Sequence, residues 1–248
     1  MARTDFTTPR LFVDAPLEPG VRASLNPDQA NYLLAALRLR EGARVLVFNG
    51  RQGEFASRLD ASRRKDPALI VAERLREQEG GPDLDLLFAP LKHARLDYMV
   101  QKAVEMGARR LRPVMTRRTQ ATRVNLERMR ANAIEAAEQC GVIALPDIDA
   151  EAPLERVIAD WPNDRLLVFC GEDAPRASAL AALAEHAQSG APLAVLIGPE
   201  GGFDDGERQA LRAVDPSVRI SLGPRILRAD TAAVAALALV QAALGDWR

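Results

Sequence analysis

The sequence predicts an α/β protein in two parts, a small β-rich domain followed by a larger domain built on a parallel sheet. Short strand-like runs with little helix fill the first seventy-odd of its 248 residues, whereas strand and helix alternate from residue 84 onward. A polar segment containing glycine and proline, residues 77–83, separates the two patterns. We therefore expect a small barrel over 1–76, a linker over 77–83 and an α/β domain over 84–248.

The N-terminal pattern consists of short apolar strands around one helix. Asn49-Gly50 predicts a hairpin turn between two of the strands, and a helix is expected over 27–39 with Asn26 as its N-cap and Pro27 in its first position. The predicted strands are 10–14, 43–48, 54–59 and 68–72. Short strands of this number favour a small barrel.

The C-terminal pattern alternates strands rich in Leu, Val and Ile with helices, which is typical of a parallel sheet covered on both faces. The predicted strands are 84–89, 111–115, 165–169, 193–197 and 219–222. The predicted helices are 96–106, 126–139, 154–160, 176–187, 205–213 and 231–244. The last of these helices is apolar nearly all round, a pattern compatible with burial in the core and with a dimer interface.

Composition excludes several classes of protein. A hydrophobic content of 48% with 27% charged residues is ordinary for a globular protein. The start of the chain lacks the apolar core of a signal peptide, and no apolar run reaches the roughly 20 residues of a membrane span, so we expect a cytoplasmic protein. Cys140 and Cys170 have no metal-type spacing, which predicts no metal site, no disulfide and two buried thiols.

Arginine is concentrated between residues 109 and 130, where eight arginines accompany one acid, Glu127. We call these eight residues the basic stripe. Because arginine binds phosphate in a bidentate manner, the basic stripe favours an RNA partner. The alternative is a solvated face with local ion pairs. Aromatic residues amount to only 4%, so stacking platforms for single-stranded RNA are not evident.

A glycine-rich turn, residues 198–202, joins a predicted strand to a predicted helix. It lacks the Gly-Lys-Ser/Thr of a P-loop and the Gly-x-Gly-x-x-Gly of a dinucleotide site, and Glu200 would repel a phosphate. A ligand here should be uncharged or positive, and the glycines allow backbone to approach a flat group such as a purine. Asp204 and Glu207 have the spacing of a helix cap, so a purely structural strand-to-helix connection is the alternative.

A second turn, Gly223-Pro224, repeats this arrangement and is followed by Arg225 and Arg228, with Asp230 and Thr231 expected at the helix cap. Parallel strands end at the same edge of a sheet, where ligands usually bind. A third strand end, at Gly171, falls in the same pattern. Together the three ends predict a cofactor crevice with Glu200, Arg228 and Asp230 as its charged residues.

Motifs along the whole chain carry a specific resemblance. They are "PRLFV" at 9–13, "LLFAPLK" at 86–92, "QKAVEMG" at 101–107, "EAAEQCG" at 135–141, "LIGPEGGF" at 196–203, "LGPRILRADTA" at 222–232 and "GDW" at 245–247. In this order they resemble the SPOUT methyltransferases and, within them, the ribosomal small-subunit methyltransferase E family, which methylates N3 of a uridine in 16S ribosomal RNA. The resemblance implies a PUA-like barrel, a C-terminal domain tied in a trefoil knot, a homodimer, and S-adenosylmethionine held in the knot.

The N3 proton of uracil must leave before or during methyl transfer, so this reaction needs a base or a group that stabilises the anion, and we assign these roles as a hypothesis. Arg228 would stabilise the developing uracil anion or a flanking phosphate, and Asp230 or Glu200 would orient it or accept the N3 proton. The implied cofactor contacts are Gly171, Ile197, Gly198, Glu200, Gly201, Gly202, Leu222, Gly223, Ile226, Leu227 and Thr231. The implied RNA contacts are Arg10, Arg38, Lys92, Lys102, Arg117 and Arg118. Three positions depart from the family pattern: Val142 stands for an arginine, Asp230 for a glutamate, and Asn31 for a residue that is often histidine.

Two other functions remain open at this point. The chain could be a SPOUT enzyme that acts on transfer RNA or on a ribose hydroxyl. It could also be a non-catalytic RNA-binding or ribosome assembly factor. A nicotinamide dehydrogenase is excluded because the dinucleotide fingerprint is missing.

Overall fold

The computed structural model describes residues 5, 7–63, 66–121, 123–171, 178–186 and 190–247. The chain divides into two compact units, which are described separately below. The first unit comprises Met1–Gly80 and Ala137–Leu145, and the second comprises Gly81–Ala136 and Pro146–Arg248. The division after Gly80 falls inside the segment 77–83, whereas Ala137–Leu145 was expected in the C-terminal domain.

The first unit contains one five-stranded sheet. Its strands are β1 (Arg10–Phe12), β2 (Arg22–Ser24), β3 (Arg44–Phe48), β4 (Glu54–Asp60) and β5 (Ala68–Arg76), in the order β1-β3-β4-β5-β2. β1 and β3 are parallel, and the other pairs are antiparallel. The core of this unit includes Leu17, Leu33, Val45, Val47 and Leu69. The sequence did not predict β2, because Arg22-Ala23-Ser24 has neither an apolar run nor the alternation that marks a strand.

The helix expected over 27–39 begins as predicted and ends early. α1 (Pro27–Asn31) has Pro27 in its first turn, and Asn26 caps it by accepting a hydrogen bond from Gln29 N at 2.9 Å. A π-helical turn, Tyr32–Ala36, follows directly. Arg38 then takes a left-handed φ of 54°, so the helix cannot continue to residue 39 as expected.

Segment 137–145 is held in the first unit by hydrogen bonds to its strands. Phe12 N donates to Glu138 Oε1 at 2.9 Å, and the Arg76 guanidinium donates to Gly141 O at 2.9 Å. These partners are more than sixty residues apart in sequence, so no local pattern could have assigned the segment to this unit.

The second unit is built on seven parallel strands, which confirms the predicted parallel sheet. They are β6 (Leu84–Phe88), β7 (Arg110–Met115), β8 (Asp147–Ile148), β9 (Ala152–Pro153), β10 (Leu166–Cys170), β11 (Leu193–Ile197) and β12 (Ser217–Ile220). Six of them follow the order β12-β10-β11-β6-β7-β8, and β9 pairs with β7. β8 and β9 were not predicted, and β12 begins two residues before the expected 219–222.

Six helices accompany these strands. They are α2 (His93–Glu105), α3 (Leu126–Cys140), α4 (Leu154–Ala159), α5 (Ala179–Ala184), α6 (Asp205–Arg212) and α7 (Ala229–Ala243). Part of the segment expected to form α5 lies outside the described residues. The capping pair before α6 is confirmed, since Glu207 N donates to Asp204 Oδ1 at 2.7 Å and Asp204 N donates to Glu207 Oε2 at 2.9 Å.

No helix in the described part of the chain is both long and apolar enough to cross a membrane. Within the same residues, no three His, Cys, Asp or Glu side chains are grouped in a way that could hold a metal ion.

Candidate active site

The carboxyl ends of β10, β11 and β12 lie side by side, because β10 is between the other two strands in the sheet. The segments after β10 and β11 and the start of α7 line a cavity of about 860 Å³. We call it the strand-end cavity. Its lining includes Phe169, Cys170, Gly171, Ile197, Gly198, Pro199, Glu200, Gly201, Gly202, Phe203, Gln209, Arg212, Ile226, Leu227, Ala229 and Ala232. A volume of this size fits a cofactor.

Two glycines of the first turn are required, Gly198 by the space around it and Gly202 by its backbone conformation. A Cβ on Gly198 would lie 2.8 Å from the ring of Phe203, whereas a Cβ on Gly201 would meet only the flexible Arg118 side chain, at 3.4 Å. Gly202 has a left-handed φ of 68°, which side chains rarely adopt. Backbone rather than side chains therefore forms this wall of the strand-end cavity.

The second turn lines a smaller, adjoining cavity of about 230 Å³. Leu222 and Gly223 contact only this smaller space, whereas Ile226 and Leu227 line both cavities. Thr231 lines neither. The structure thus brings ten of the eleven expected cofactor residues to these two cavities, and Thr231 is the exception.

The expected catalytic residues occupy three different environments. Arg228 is exposed at the N-cap of α7, between the cavity-lining Leu227 and Ala229, and the described residues offer it no ion pair. Asp230 lies in the first turn of α7, and its carboxylate accepts a hydrogen bond from Thr231 N at 2.9 Å. The expectation that Asp230 or Thr231 caps this helix is wrong, because the helix starts at Ala229 and leaves the cap position to Arg228.

Glu200 lines the strand-end cavity and forms an ion pair with Arg95 of α2. Sequence reasoning missed Arg95. Its partner is 105 positions away in the chain, so only the tertiary fold brings the two side chains together. Glu200 is half exposed, which leaves its carboxylate accessible from the cavity.

Cys170, at the end of β10, also faces the strand-end cavity. Burial raises the pKa of its thiol to about 12. The thiol is therefore neutral at physiological pH and is a poor nucleophile. Cys140 and Cys170 are both half-buried rather than fully buried as expected.

Arg10 was expected to contact RNA, but its side chain is buried. Its side chain is only 3% exposed, and Nε donates to Glu54 Oε1 at 2.6 Å. The same guanidinium donates to the carbonyl oxygens of Asp5 and Glu138. Arg10 thus stabilises the first unit from inside, and we do not carry it forward as an RNA contact.

The other expected RNA contacts lie on the surface or are half-buried. Arg38 and Lys92 are exposed, and Lys92 is the N-cap of α2. Lys102 is half-buried and pairs with Glu105 at 2.7 Å. Arg118 is exposed, lines the strand-end cavity and donates to Gly201 O at 2.6 Å.

Half of the basic stripe is engaged in ion pairs. Arg110 pairs with Asp149, Arg112 with Asp85 and Asp149, Arg117 with Glu155 and Asp204, and Arg128 with Asp97. The alternative of local ion pairs therefore describes these four arginines. Burial raises the pKa of the Asp85 carboxyl above its ordinary value, although the neighbouring guanidinium groups of Arg165 and Arg112 oppose that change.

Comparison with known proteins defines the class to which this fold and site belong. The sequence profile of an RNA methyltransferase domain matches residues 79–241, and that of an RNA methyltransferase PUA domain matches residues 25–71. The chain belongs to this RNA methyltransferase family.

Within that class, the specific resemblance expected from the sequence is confirmed. The chain is 28% identical to ribosomal RNA small subunit methyltransferase E of Rickettsia conorii, over 94% of each chain. It is 29% identical to the protein of that name from Synechocystis, over 89% of this chain and 73% of the relative. The crystal structure of the Neisseria gonorrhoeae protein of that name, bound to S-adenosyl methionine, superposes with a TM-score of 0.84 at 25% identity and covers 97% of this chain and 100% of that one.

Proposed function

We propose that this protein transfers a methyl group from S-adenosylmethionine to N3 of a uridine in 16S ribosomal RNA of the small subunit, in the cytoplasm. The observation that carries the proposal is the strand-end cavity, where glycine backbone from one turn faces the segment that leads into α7. The relative from Neisseria gonorrhoeae, which has the same fold, binds S-adenosyl methionine.

The residues of the strand-end cavity fit this cofactor. Ile197, Phe203 and Leu227 supply apolar surface, and the missing Cβ of Gly198 keeps the backbone open to a flat ring. Glu200 provides negative charge in the same wall. When bound, S-adenosylmethionine supplies an electrophilic methyl group on a positively charged sulfur. A carboxylate in this position favours such a cation, whereas it would repel a phosphate.

Arg228 is our candidate for stabilising the uracil anion that forms as the N3 proton leaves, or for holding the flanking phosphate. It is exposed beside the cavity and has no ion pair to a described residue, so its charge is available to a substrate. Of the two candidate carboxylates, Glu200 lines the cavity whereas Asp230 does not. We therefore favour Glu200 over Asp230 as the group that orients the base or accepts its proton.

The exposed cations Arg38, Lys92, Arg117 and Arg118 remain our candidates for contacts with the RNA backbone, together with the half-buried Lys102. Arg117 and Lys102 already have acidic partners, so their contribution requires exchange of those partners for phosphate. Arginine and lysine on an open surface bind RNA without reading its sequence.

We also propose a homodimer that forms through the outward face of α7. This face carries apolar side chains at helical spacing that the described residues leave partly or fully exposed: Val234, Ala235, Ala238, Leu239 and Ala242. An apolar helix face of this kind is stabilised when a second copy covers it.

Two measurements test the proposed reaction. Purified protein incubated with radiolabelled S-adenosylmethionine should label RNA in small ribosomal subunits and leave transfer RNA unlabelled. Label in transfer RNA alone would favour a different RNA methyltransferase. Calorimetry with S-adenosylmethionine should show binding, and a chain that binds RNA without binding this cofactor would instead be a non-catalytic assembly factor.

A further inference from the structure

A second cavity, of about 310 Å³, lies beside the strand-end cavity in the same unit. Its walls are formed by Pro90, Leu91, Lys92, Arg95, Arg118, Gln120, Pro199 and Glu200. Arg118, Pro199 and Glu200 belong to both cavities. A group bound in the second cavity would therefore lie next to whatever occupies the strand-end cavity.

The charge of the second cavity is strongly positive. Lys92, Arg95 and Arg118 face it, and Glu200 is its single acid. Lys92 is also the N-cap of α2, a helix of 13 residues whose N-terminus adds partial positive charge. An anion is the ligand that this combination favours.

The ion pair of Arg95 with Glu200 and the hydrogen bond of Arg118 to Gly201 O leave both arginines able to bind a phosphate. The side chains of Arg95 and Glu200 are 36% and 50% exposed, and ion pairs this open to water contribute little to folding. An RNA phosphodiester carries the same single negative charge as a carboxylate and, like it, offers a guanidinium two oxygens, so a phosphate can take the place of Glu200 on Arg95. Arg118 uses one donor on Gly201 O, and a guanidinium has further donors available for a second partner.

We propose that the second cavity is a phosphate site for the substrate RNA, in which Arg95 releases Glu200 and binds a phosphate as the RNA arrives. This proposal rests on the proposed function, because it assigns the phosphate to the RNA that is methylated. In this proposal Arg95 is a positioning residue. When Arg95 binds the phosphate, the Glu200 carboxylate is released and can turn toward the strand-end cavity while the nucleotide is bound.

The test measures binding of a fluorescein-labelled 12-nucleotide uridine strand to the full chain by anisotropy, without cofactor, at several salt concentrations. Loss of one phosphate contact should reduce the slope of log affinity against log salt by about 0.7 for a single strand. We expect this reduction for Arg95→Gln and for Lys92→Gln, with affinity lowered roughly fivefold at low salt. Arg156→Gln is the matched control, because Arg156 is an exposed arginine of α4 with an acidic partner, Asp160, outside both cavities.

The variant Glu200→Gln tests whether Arg95 must release Glu200 before it binds a phosphate. If Arg95 must leave Glu200 to bind phosphate, removing the carboxylate's charge should strengthen binding of the strand roughly threefold. Weaker binding of this variant would overturn the exchange. Unchanged salt slopes in both Arg95→Gln and Lys92→Gln, or no binding by the wild-type chain at low salt, would overturn the phosphate site. A wild-type chain that shows the expected slopes yet transfers no methyl group would instead overturn the proposed function.

Discussion

Gly198 is the residue on which the shape of the strand-end cavity depends most directly. Its position at the end of a buried strand predicted a close approach of backbone to a ligand, and the structure adds the reason: any side chain would meet the Phe203 ring. Phe203 itself is 6% exposed, so it has little room to move. The sequence pattern predicted the role of Gly198 but not its contact with the Phe203 ring.

Gly198→Ala should therefore weaken cofactor binding by roughly tenfold, because overpacking of this kind costs about 1–3 kcal/mol when the neighbour must shift. Calorimetry with S-adenosylmethionine is the measurement. Gly206→Ala, a glycine of the following helix that does not line the cavity, is the control and should bind the cofactor normally. Equal affinity of the two variants would show that Gly198 does not shape the site.

Arg228→Ala should abolish methyl transfer and leave cofactor binding largely intact, because Arg228 is exposed and does not line the strand-end cavity. Arg156→Ala removes an exposed arginine that lines none of these cavities and serves as the control, with turnover expected near the wild-type value. Turnover and cofactor affinity are measured on the same preparations. Near-normal turnover of Arg228→Ala would exclude the proposed role.

At the scale of elements, the long apolar runs were predictable and the short or shifted pieces were not. The core strands β6, β10 and β11 carry four or five buried apolar residues each, a pattern that is visible in the local sequence. β8 and β9 have two residues each, which carry no period. The ion pair of Arg95 with Glu200 depends on tertiary contact and has no signal in either local segment.

Helix α7 carries one polar side chain that is buried among its apolar residues. Gln241 lies inside the helix, as the predicted range implies, and is fully buried. Its Nε2 donates to Met106 O at 2.6 Å, and its Oε1 accepts from Asp246 N at 3.2 Å. A Cβ on Gly107 would lie 2.7 Å from Gln241 Nε2, so this glycine makes room for the contact. A buried glutamine with both ends bonded joins the end of α2 to the end of the chain.

Gln241→Leu should lower the free energy of unfolding by about 2 kcal/mol, because it leaves a carbonyl and an amide without their partner. Urea denaturation measures the change. Gln209→Leu, at an exposed position of α6, should alter the free energy of unfolding by less than about 0.5 kcal/mol. If the two variants were equally stable, the hydrogen bonds of Gln241 would contribute nothing to the fold.

For the whole molecule, the family resemblance predicted features that local sequence patterns cannot predict. The two-part organisation followed from the change of pattern near residue 80, and the family profiles confirm a PUA domain and an RNA methyltransferase domain. The trefoil knot and the homodimer stay predictions, since neither periodicity nor turn chemistry encodes how a chain threads or associates. Ala137–Leu145 shows the limit of local reading, because its place in the first unit depends on long-range hydrogen bonds.

Leu239→Glu should convert a dimer to a monomer, because it places a charge in the centre of the outward apolar face of α7. Sedimentation velocity gives the oligomeric state directly. Ala131→Glu, at an exposed position of α3, is the control and should leave the dimer intact. A wild-type chain that sediments as a monomer, or a Leu239→Glu variant that remains dimeric, would contradict the proposed interface.

We propose that this chain methylates N3 of a uridine in 16S ribosomal RNA. Its most direct test is mass spectrometry of 16S ribosomal RNA from cells that lack the protein and from the same cells carrying the wild-type chain or Arg228→Ala. We expect that one N3-methyluridine is missing without the protein, returns with the wild-type chain and stays missing with Arg228→Ala. An unchanged N3-methyluridine in cells without the protein would contradict it.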